Sequence, residues 1–337
     1  MEKQYKVLIT GAEGFIGKRL SAKFLRNYNP RDILLLVKKD NNQKIKELKR
    51  IIRGKRVEVK EVDLVSKSDL KNLKVFPKVL IHLAASTETS SKDHRANDIG
   101  TINLFEALNI KDENTHVVYT STTAIYSGRH DCKKPIDEST TPKPSNEYGR
   151  TKLKAEKYLI NAARKNRFRL SIIRLCTVYG KNTKEDGLFS ILKKDIKKAG
   201  LISRINWPGL TSLVHVDDLA DAIGYLTQKP PSSGKPEIFI VYSDSLTLAG
   251  ISKYIYEATS TKYKPIELPP VVWKIFILTR GWISHLEKIL PYPIYNLAWR
   301  SSLIVNDSLY CRSNKLRKRL PSWKPRKFSQ GVMDVVS

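Results

Sequence analysis

The stretch Lys6-Val7-Leu8-Ile9-Thr10-Gly11-Ala12-Glu13-Gly14-Phe15-Ile16-Gly17 decides the fold of this 337-residue chain. Its apolar run predicts a strand, its glycines predict a tight turn, and Leu20, Phe24 and Leu25 continue with the spacing of a helix. Glycines let a pyrophosphate approach the backbone, and the helix N-terminus offers free N–H groups to it. The stretch therefore predicts a nucleotide-binding turn; a purely structural turn is the alternative.

The following sequence alternates short apolar runs with helical patterns. Further strands are predicted at residues 33–37, 57–62, 79–85, 117–120, 170–175 and 237–242, with helices between them such as the one at 98–108. This alternation predicts an α/β fold: a Rossmann-type doubly wound parallel sheet with a smaller C-terminal α/β substrate lobe. We expect residues 1–180 with about 213–243 to form the nucleotide-binding domain, and about 181–212 with 244–337 to form the substrate-binding lobe.

Tyr148 and Lys152 are a candidate acid/base pair. Ser145 follows two prolines and is the expected N-cap of a helix that continues through 153–163. Residues four apart share a helix face, and a lysine ammonium beside a phenol is expected to lower the pKa of the phenol. The same spacing recurs at Tyr225 and Lys229, so the spacing alone is weak evidence.

The end of the second strand bears on cofactor choice. In many NAD sites an acidic residue closes this strand and holds the adenosine ribose hydroxyls. Here Lys38 and Lys39 stand at that place, and Asp40 comes one residue later. Lysines there favour a 2′-phosphate, so we expect NADP(H) in preference to NAD(H); two surface lysines in an NAD site are the alternative.

The chain is strongly basic, with 61 Lys and Arg against 33 Asp and Glu and a formal net charge of +28. Such a charge favours anionic partners, whether phosphorylated metabolites, anionic lipid or nucleic acid. The sequence has no aromatic-interleaved RNA motif and no zinc-finger spacing. We therefore expect no specific nucleic-acid partner and interpret the excess as solvated surface.

Cysteine usage and the termini suggest a cytoplasmic protein. Cys132, Cys176 and Cys311 are widely spaced, which indicates a reducing compartment and predicts neither a disulfide framework nor a metal site. The first residues lack the sections of a signal peptide. The apolar segment 268–283 is shorter than the roughly 20 residues of a membrane span, so we expect a core or interface helix. A membrane-surface helix in peripheral contact is the alternative.

Together these motifs resemble the extended short-chain dehydrogenase/reductases, the family of NAD(P)-dependent nucleotide-sugar epimerases, dehydratases and reductases. The matching positions occur in the family's order over residues 7 to about 225. They are the glycine stretch, Asp63-Leu64, His82-Leu83-Ala84-Ala85, Asn97 with Gly100-Thr101-Ile102-Asn103-Leu104, Thr120-Ser121-Thr122, Tyr148 with Lys152, Arg174 with Val178-Tyr179-Gly180, and His215-Val216-Asp217-Asp218. The tail, from Leu303-Ile304-Val305-Asn306-Asp307 to Trp323-Lys324-Pro325, is similar to the family's closing pattern.

The resemblance implies a role for each site residue. The catalytic group would be Tyr148 as acid/base, Lys152 on the nicotinamide ribose hydroxyls, and Thr122 hydrogen-bonded to the reacting oxygen. The cofactor-binding group would be Gly11, Gly14, Phe15, Ile16 and Gly17 at the pyrophosphate, Lys38 at the second strand, Asp63 and Leu64 beside the adenine, and Ala84 and Ala85 along the passage to the sugar. His82 is expected to support the cofactor side rather than act as a base.

Two departures from the family pattern concern the substrate. Thr177 stands where many relatives have Asn, and Thr211-Ser212 stands where many have an Arg-Asp pair that serves the substrate's nucleotide. Arg204 is a candidate replacement. We expect 4-keto reduction or 4-epimerisation of a nucleotide-activated sugar for surface polysaccharides, with a homodimer left open. The alternatives are reduction of a non-nucleotide ketone, or an idle NADP(H)-binding scaffold with a basic surface.

Overall fold

The structure is a computed structural model that describes residues 3–87, 93–129, 134–183, 187–283, 289–305 and 309–337. Cys132 and the tail residues Asn306 and Asp307, which the sequence analysis singled out, lie outside these ranges.

The centre of the molecule is a seven-stranded, fully parallel sheet in the order β3-β2-β1-β4-β5-β6-β9. This is the strand order of dinucleotide-binding sheets with one strand added at the edge. The strands are β1 (Lys3–Thr10), β2 (Ile33–Lys38), β3 (Glu58–Val62), β4 (Val75–His82), β5 (His116–Thr122), β6 (Arg169–Leu175) and β9 (Glu237–Val241). The predicted fold class is confirmed.

Helices cover both faces of this sheet. The described helices are α1 (Phe15–Asn27), α2 (Asn42–Ile51), α3 (Lys67–Lys71), α4 (Ile99–Leu108), α5 (Glu147–Asn166), α6 (Leu188–Lys197), α7 (Val216–Thr227), α8 (Leu248–Ala258), α9 (Pro270–Ile283), α10 (Tyr292–Ile304), α11 (Lys315–Arg319), α12 (Phe328–Gly331) and α13 (Met333–Val336). Leu20 and Ile223 place α1 and α7 in the core of one face, and Leu104 and Leu159 place α4 and α5 in the core of the other. The buried strands are continuous apolar runs because both of their faces are covered.

A second, smaller sheet carries the remaining part of the chain. It has the order β10-β8-β7, where β7 is Thr177–Tyr179, β8 is Leu210–His215 and β10 is Asp244–Thr247. Its own core contains Phe189, Trp207, Ile251 and Phe328. Strand β8, whose last three residues we assigned to the nucleotide-binding domain, thus pairs within the small sheet, while α7 directly after it packs beside α1. The division into domains remains a prediction.

Three local expectations need correction. The strand predicted at 79–85 runs from Val75 to His82, so Leu83 to Ala85 lie beyond the sheet. Asn146, not Ser145, caps α5, and its side chain accepts from the Gly149 N–H at 2.9 Å. The Ser145 hydroxyl is engaged elsewhere, at 2.7 Å from the hydroxyl of Ser127.

The third correction concerns the apolar segment at 268–283. It forms the expected helix, α9, but Val271, Ile275 and Leu278 are exposed, which excludes a core helix and leaves the interface and membrane-surface interpretations as predictions. Trp273, which packs against the core of the small lobe, is partly buried. Within the described residues, no helix combines the length and the apolar character that crossing a bilayer requires.

Candidate active site

The carboxyl ends of β1, β4 and β5 meet at one edge of the sheet and bring the predicted residues together. Strand β1 leads into the glycine turn, β4 leads into Ala84 and Ala85, and β5 ends at Thr122. Parallel sheets bind ligands at this edge, next to the point where the strand order reverses.

In the glycine turn, backbone atoms approach Gly11 and Gly17 so closely that neither position has room for a side chain. Gly11 has φ +65°, and a Cβ there would lie 2.9 Å from the Cα of Ala84. A Cβ on Gly17 would lie 2.1 Å from the Gly11 carbonyl oxygen. Helix α1 then begins after Gly14, whose lack of a side chain leaves the first N–H groups uncapped. The open helix N-terminus and the bare turn fit the pyrophosphate of a dinucleotide.

A buried polar pair fixes the turn against β4. His82 is fully buried, with Nδ1 at 2.7 Å from the Thr10 hydroxyl and Nε2 at 2.9 Å from the Thr101 hydroxyl. Burial lowers the pKa of His82 to about 3, so the ring is neutral near pH 7. The Thr10 hydroxyl also accepts from the N–H of Ala84 at 3.2 Å. His82 is thus part of the scaffold, as expected.

The two lysines predicted to bind the cofactor, at the end of β2, differ in their contacts. Lys39 forms an ion pair with Asp69 at 3.7 Å, whereas the exposed Lys38 donates its backbone N–H to the Glu13 carboxylate at 3.2 Å. Glu13 is 6% exposed, and its second oxygen has no hydrogen-bond partner among the described residues. A buried acidic group from the glycine turn therefore reaches the place where β2 supplies a lysine.

Asp63 and Leu64 follow β3 on the same side. The Asp63 carboxylate accepts from the N–H of Val65 at 2.9 Å, and Leu64 packs under Gly100, where an added Cβ would lie 3.0 Å from the Leu64 Cβ. The Asn103 amide donates to the Leu64 carbonyl at 3.2 Å. These contacts hold the loop after β3 against α4; its proposed place beside the adenine remains a prediction.

The predicted catalytic residues come from two neighbouring elements. Tyr148 lies on the first turn of α5 and Thr122 at the end of β5, and the Thr122 hydroxyl acts to lower the pKa of the Tyr148 phenol. The Thr122 hydroxyl accepts from the Ala124 N–H at 3.1 Å, which leaves its own proton available to another acceptor. The His94 ring lies 5.7 Å from the Tyr148 ring and limits its movement on the outer side.

Lys152 is buried beneath this pair, at 1% exposure. Its Nζ donates to the Thr120 carbonyl at 2.6 Å and lies 4.2 Å from the centre of the Tyr119 ring. Burial lowers the pKa of Lys152 to about 7, although the Glu156 carboxylate one turn further along α5 acts in the opposite direction. One N–H of the ammonium is used by the backbone, which leaves two for another partner.

The expected effect of Lys152 on Tyr148 is wrong for this arrangement. Burial raises the pKa of the Tyr148 phenol, and among the described residues Thr122 acts against that rise. The lysine is directed at the Thr120 carbonyl and is itself driven towards its neutral form, so it does not hold the phenol near neutrality. Buried phenols favour the protonated state, which suits a proton donor.

A buried ion pair continues below the lysine. Arg174 on β6 donates to both oxygens of Glu156, at 3.1 and 2.7 Å, and its third nitrogen donates to the hydroxyl of Tyr126. Both charged side chains are at most 5% exposed. Each partner satisfies the other, which a buried charge requires. Arg174 was part of the family pattern, but nothing in the sequence predicted that Glu156 and Tyr126 would be its partners.

Helix α10 also reaches the loop before Tyr148, which the sequence did not indicate. The Tyr295 hydroxyl donates to the Ser145 carbonyl at 3.2 Å, and the Trp299 indole donates to the Ser145 hydroxyl at 2.9 Å. These contacts join residues about 150 positions apart, which no local pattern can predict.

The remaining predicted residues lie further from the tyrosine. Thr177 opens β7, beside Leu213 of β8. Arg204 lies in the small lobe, where its Nε donates to the Lys264 carbonyl at 2.9 Å. At the second Tyr-x-x-x-Lys, the Tyr225 ring is 37% exposed and faces the Lys23 ammonium at 5.2 Å, so this occurrence is a surface feature.

Comparisons with known proteins agree with this architecture. Residues 7–241 match the model of the NAD dependent epimerase/dehydratase family, so the chain belongs to that family. It is 22% identical to human dTDP-D-glucose 4,6-dehydratase over 95% of this chain and 92% of the relative, and 28% identical to a putative UDP-glucose 4-epimerase of Methanocaldococcus jannaschii over 64% and 71%.

Solved structures show the same fold. UDP-glucose 4-epimerase of Thermotoga maritima, crystallised with UDP-glucose, has a TM-score of 0.72 at 19% identity and covers 98% of this chain and 97% of its own. RMD from Pseudomonas aeruginosa, crystallised with NADPH, has a TM-score of 0.68 at 17% identity, with 99% and 98% covered. Relatives in this group thus include both NAD and NADPH complexes.

The burial of Lys152 predicts a specific dependence of stability on pH. Below about pH 7 the lysine is charged in both the folded and the unfolded chain, so the cost of burying an ammonium is fully present. As the pH rises towards the unfolded value of 10.5, the folded chain binds fewer protons than the unfolded chain, and that cost is relieved. The wild type therefore gains stability from this residue over that window.

Lys152→Met removes the titrating group and keeps the apolar stem. The difference in melting temperature, variant minus wild type, should be most favourable to the variant near pH 6.5 and fall steadily towards about pH 9.5. The loss of the hydrogen bond to the Thr120 carbonyl shifts this difference by the same amount at every pH. Lys157→Met, on the same helix, is the control. A difference for Lys152→Met that does not change with pH contradicts the assigned burial.

Proposed function

We propose that this member of the NAD dependent epimerase/dehydratase family is a cytoplasmic oxidoreductase or epimerase that uses NADP(H) or NAD(H) on a nucleotide-activated sugar. The chemistry is 4-keto reduction or 4-epimerisation, in the synthesis of surface-polysaccharide sugars. The observation that carries the proposal is that Tyr148, Thr122 and the buried Lys152 come together at the sheet edge where the glycine turn opens. The relatives named for dTDP-glucose and UDP-glucose enzymes support the substrate class.

The residues divide the work between orientation and proton transfer. When bound, the nicotinamide supplies or accepts the hydride. Thr122 holds the reacting sugar oxygen against Tyr148, which donates its proton to that oxygen in reduction and withdraws it in oxidation. The raised pKa of Tyr148 keeps it protonated before reduction. Lys152 would use its two remaining N–H groups on the nicotinamide ribose hydroxyls.

The nucleotide of the substrate must be bound by other residues than the Arg-Asp pair of the family pattern. At the position of the missing Arg-Asp pair, the Ser212 hydroxyl lies 2.8 Å from that of Ser245 and accepts from the N–H of Cys311 at 2.8 Å. This position therefore links β8 to β10 and to the tail. We propose Thr177 and Arg204 as substrate residues in its place.

The same observation favours a second candidate. With a serine that serves the sheet, the diphosphate depends on Arg204 alone, whose Nε already donates to the Lys264 carbonyl, so reduction of a non-nucleotide ketone is the alternative function. Saturation by a free ketone, with no competition from nucleotide sugars, would identify it.

Replacing Tyr148 by Phe tests the proposed chemistry. The variant keeps the ring beside His94 but removes the proton donor, and we expect turnover of a panel of UDP-, dTDP- and GDP-linked 4-keto and 4-hydroxy sugars to fall by about 10²–10⁴-fold. Following cofactor absorbance alongside product separates reduction, which oxidises the cofactor, from epimerisation, which does not.

The chain supplies its own matched control. Tyr225→Phe alters the tyrosine of the second Tyr-x-x-x-Lys, on the surface, and should leave turnover unchanged. Full activity of Tyr148→Phe would exclude the proposed role of this tyrosine.

Cofactor preference depends on Lys38. We propose that its exposed side chain binds a 2′-phosphate, since Lys39 is paired with Asp69. Lys38→Ala should weaken NADP binding by about tenfold or more, measured by calorimetry, and leave NAD binding unchanged. Lys39→Ala should have the smaller effect on NADP. Tighter binding of NAD by the wild type, with no effect of Lys38→Ala, would contradict this and point to the Glu13 carboxylate as an acceptor for free ribose hydroxyls.

A further inference from the structure

The small lobe displays an apolar surface that the proposed chemistry does not use. We define this surface by six exposed side chains: Leu201, Ile202, Val271, Ile275, Phe276 and Leu278. Their exposure ranges from 37% for Phe276 to 77% for Leu278. Exposed apolar side chains that cluster in this way indicate an interaction site rather than ordinary surface.

Trp207 joins the two segments of the apolar surface. Its indole N–H donates to the Ile202 carbonyl at 3.1 Å, and its ring lies 5.5 Å from Trp273 and 6.5 Å from Phe276 on α9. Trp207 is itself buried at 9% exposure. The loop after α6 and one side of α9 therefore rest on the same tryptophan. Val271, Ile275 and Leu278 share the opposite side of α9 and are exposed there.

The segments that form this face are rich in positive charge. Residues 193–206 contain five basic residues and one acidic residue, and residues 259–283 contain four basic residues and one acidic residue. Both acidic groups are hydrogen-bonded within the lobe: the part-buried Asp195 carboxylate accepts from the Ser203 N–H at 2.8 Å, and the exposed Glu267 accepts from the Asn206 amide at 2.8 Å. Lys262, Lys264 and Lys274 are exposed.

We propose that the apolar surface binds the interface of an anionic lipid bilayer, with α9 lying in the plane of the membrane. Within the described residues, α9 has 14 residues, and its length of roughly 21 Å is well short of the roughly 30 Å hydrocarbon core. Its exposed apolar side chains can enter the boundary between headgroups and acyl chains, where buried apolar area and attraction to anionic lipid both contribute to binding. The basic residues complement anionic headgroups.

Charge also decides between a bilayer and a second copy of the chain. A symmetric dimer through this face would bring its basic segments against their own copies, in a protein of formal net charge +28. An anionic bilayer neutralises the same residues while it buries the apolar ones.

The bilayer contact lies one helix away from the candidate active site. Helix α10 packs against α9, and its Tyr295 and Trp299 donate to Ser145, three residues before Tyr148. A chain bound in this way would carry out the proposed turnover next to the membrane, with the loop before Tyr148 supported by the helix that packs on α9.

Vesicle sedimentation of the full chain tests the proposal. We expect the protein to sediment with vesicles of phosphatidylcholine that contain about 30 mol% phosphatidylglycerol, and much less with phosphatidylcholine alone. Ile275→Asp combined with Leu278→Asp should reduce the partition constant for the anionic vesicles by about tenfold or more. Ile51→Asp combined with Met333→Asp adds the same charge at exposed apolar positions elsewhere and should bind as the wild type does.

Charge reversal separates the two contributions. Lys262→Glu, Lys264→Glu and Lys274→Glu together should abolish the preference for the anionic vesicles. Circular dichroism checks that every variant is folded. The proposal is overturned if the wild type does not sediment with anionic vesicles, or if the Ile275 and Leu278 variant binds them unchanged. It is also overturned if light scattering shows that the wild type is a dimer and this variant a monomer, and the wild type does not bind vesicles.

None of these measurements needs cofactor or substrate. A failure of membrane binding therefore leaves the proposed chemistry intact, and a failure of the chemistry leaves the membrane result standing.

Discussion

The contact of Gly17 with the carbonyl oxygen of Gly11 is the constraint on which the cofactor side of this protein depends. With a Cβ at Gly17 only 2.1 Å from that oxygen, helix α1 can close onto the turn only if residue 17 has no side chain. The same turn lies against the backbone of Ala84, which the Thr10 hydroxyl holds in place. Three elements thus converge on a backbone surface that is free of side chains.

The catalytic side is built on one stripe of α5. Tyr148, Lys152 and Glu156 follow each other at intervals of four residues, so they line one helix face from the sheet edge inwards. Two neighbouring strands meet this stripe: β5 places Thr122 beside Tyr148 and the Thr120 carbonyl 2.6 Å from Lys152, and β6 places Arg174 2.7 Å from Glu156. Buried charges of this kind add little net stability, because their desolvation offsets their attraction. What they fix is the rotation of α5, and with it the position of the tyrosine.

Much of this could be predicted from the sequence, because local patterns carry it. The glycine turn, the buried strands and the order of the motifs indicate the sheet, and the motifs place Tyr148 and Thr122 at its edge. The sequence failed where the deciding contact is distant. Ser145 looked like an N-cap, but Ser127 and Trp299 use its hydroxyl. Lys152 looked like a means of lowering the pKa of Tyr148, but its ammonium donates to the Thr120 carbonyl and burial raises the pKa of the phenol. The segment of α9 predicted a core or interface helix, and only its exposure excludes the core, because composition does not report exposure.

The central claim is that the glycine turn binds the pyrophosphate of the cofactor through its backbone. Calorimetric titration of Gly17→Ala with NAD and NADP tests this claim most directly. Gly250→Ala, where the added Cβ meets its nearest atom at an ordinary 3.4 Å, is the matched helical control. The account predicts that Gly17→Ala loses affinity for both cofactors by about a hundredfold or more, while Gly250→Ala binds as the wild type does. Unaltered binding of both cofactors by a folded Gly17→Ala protein would contradict it.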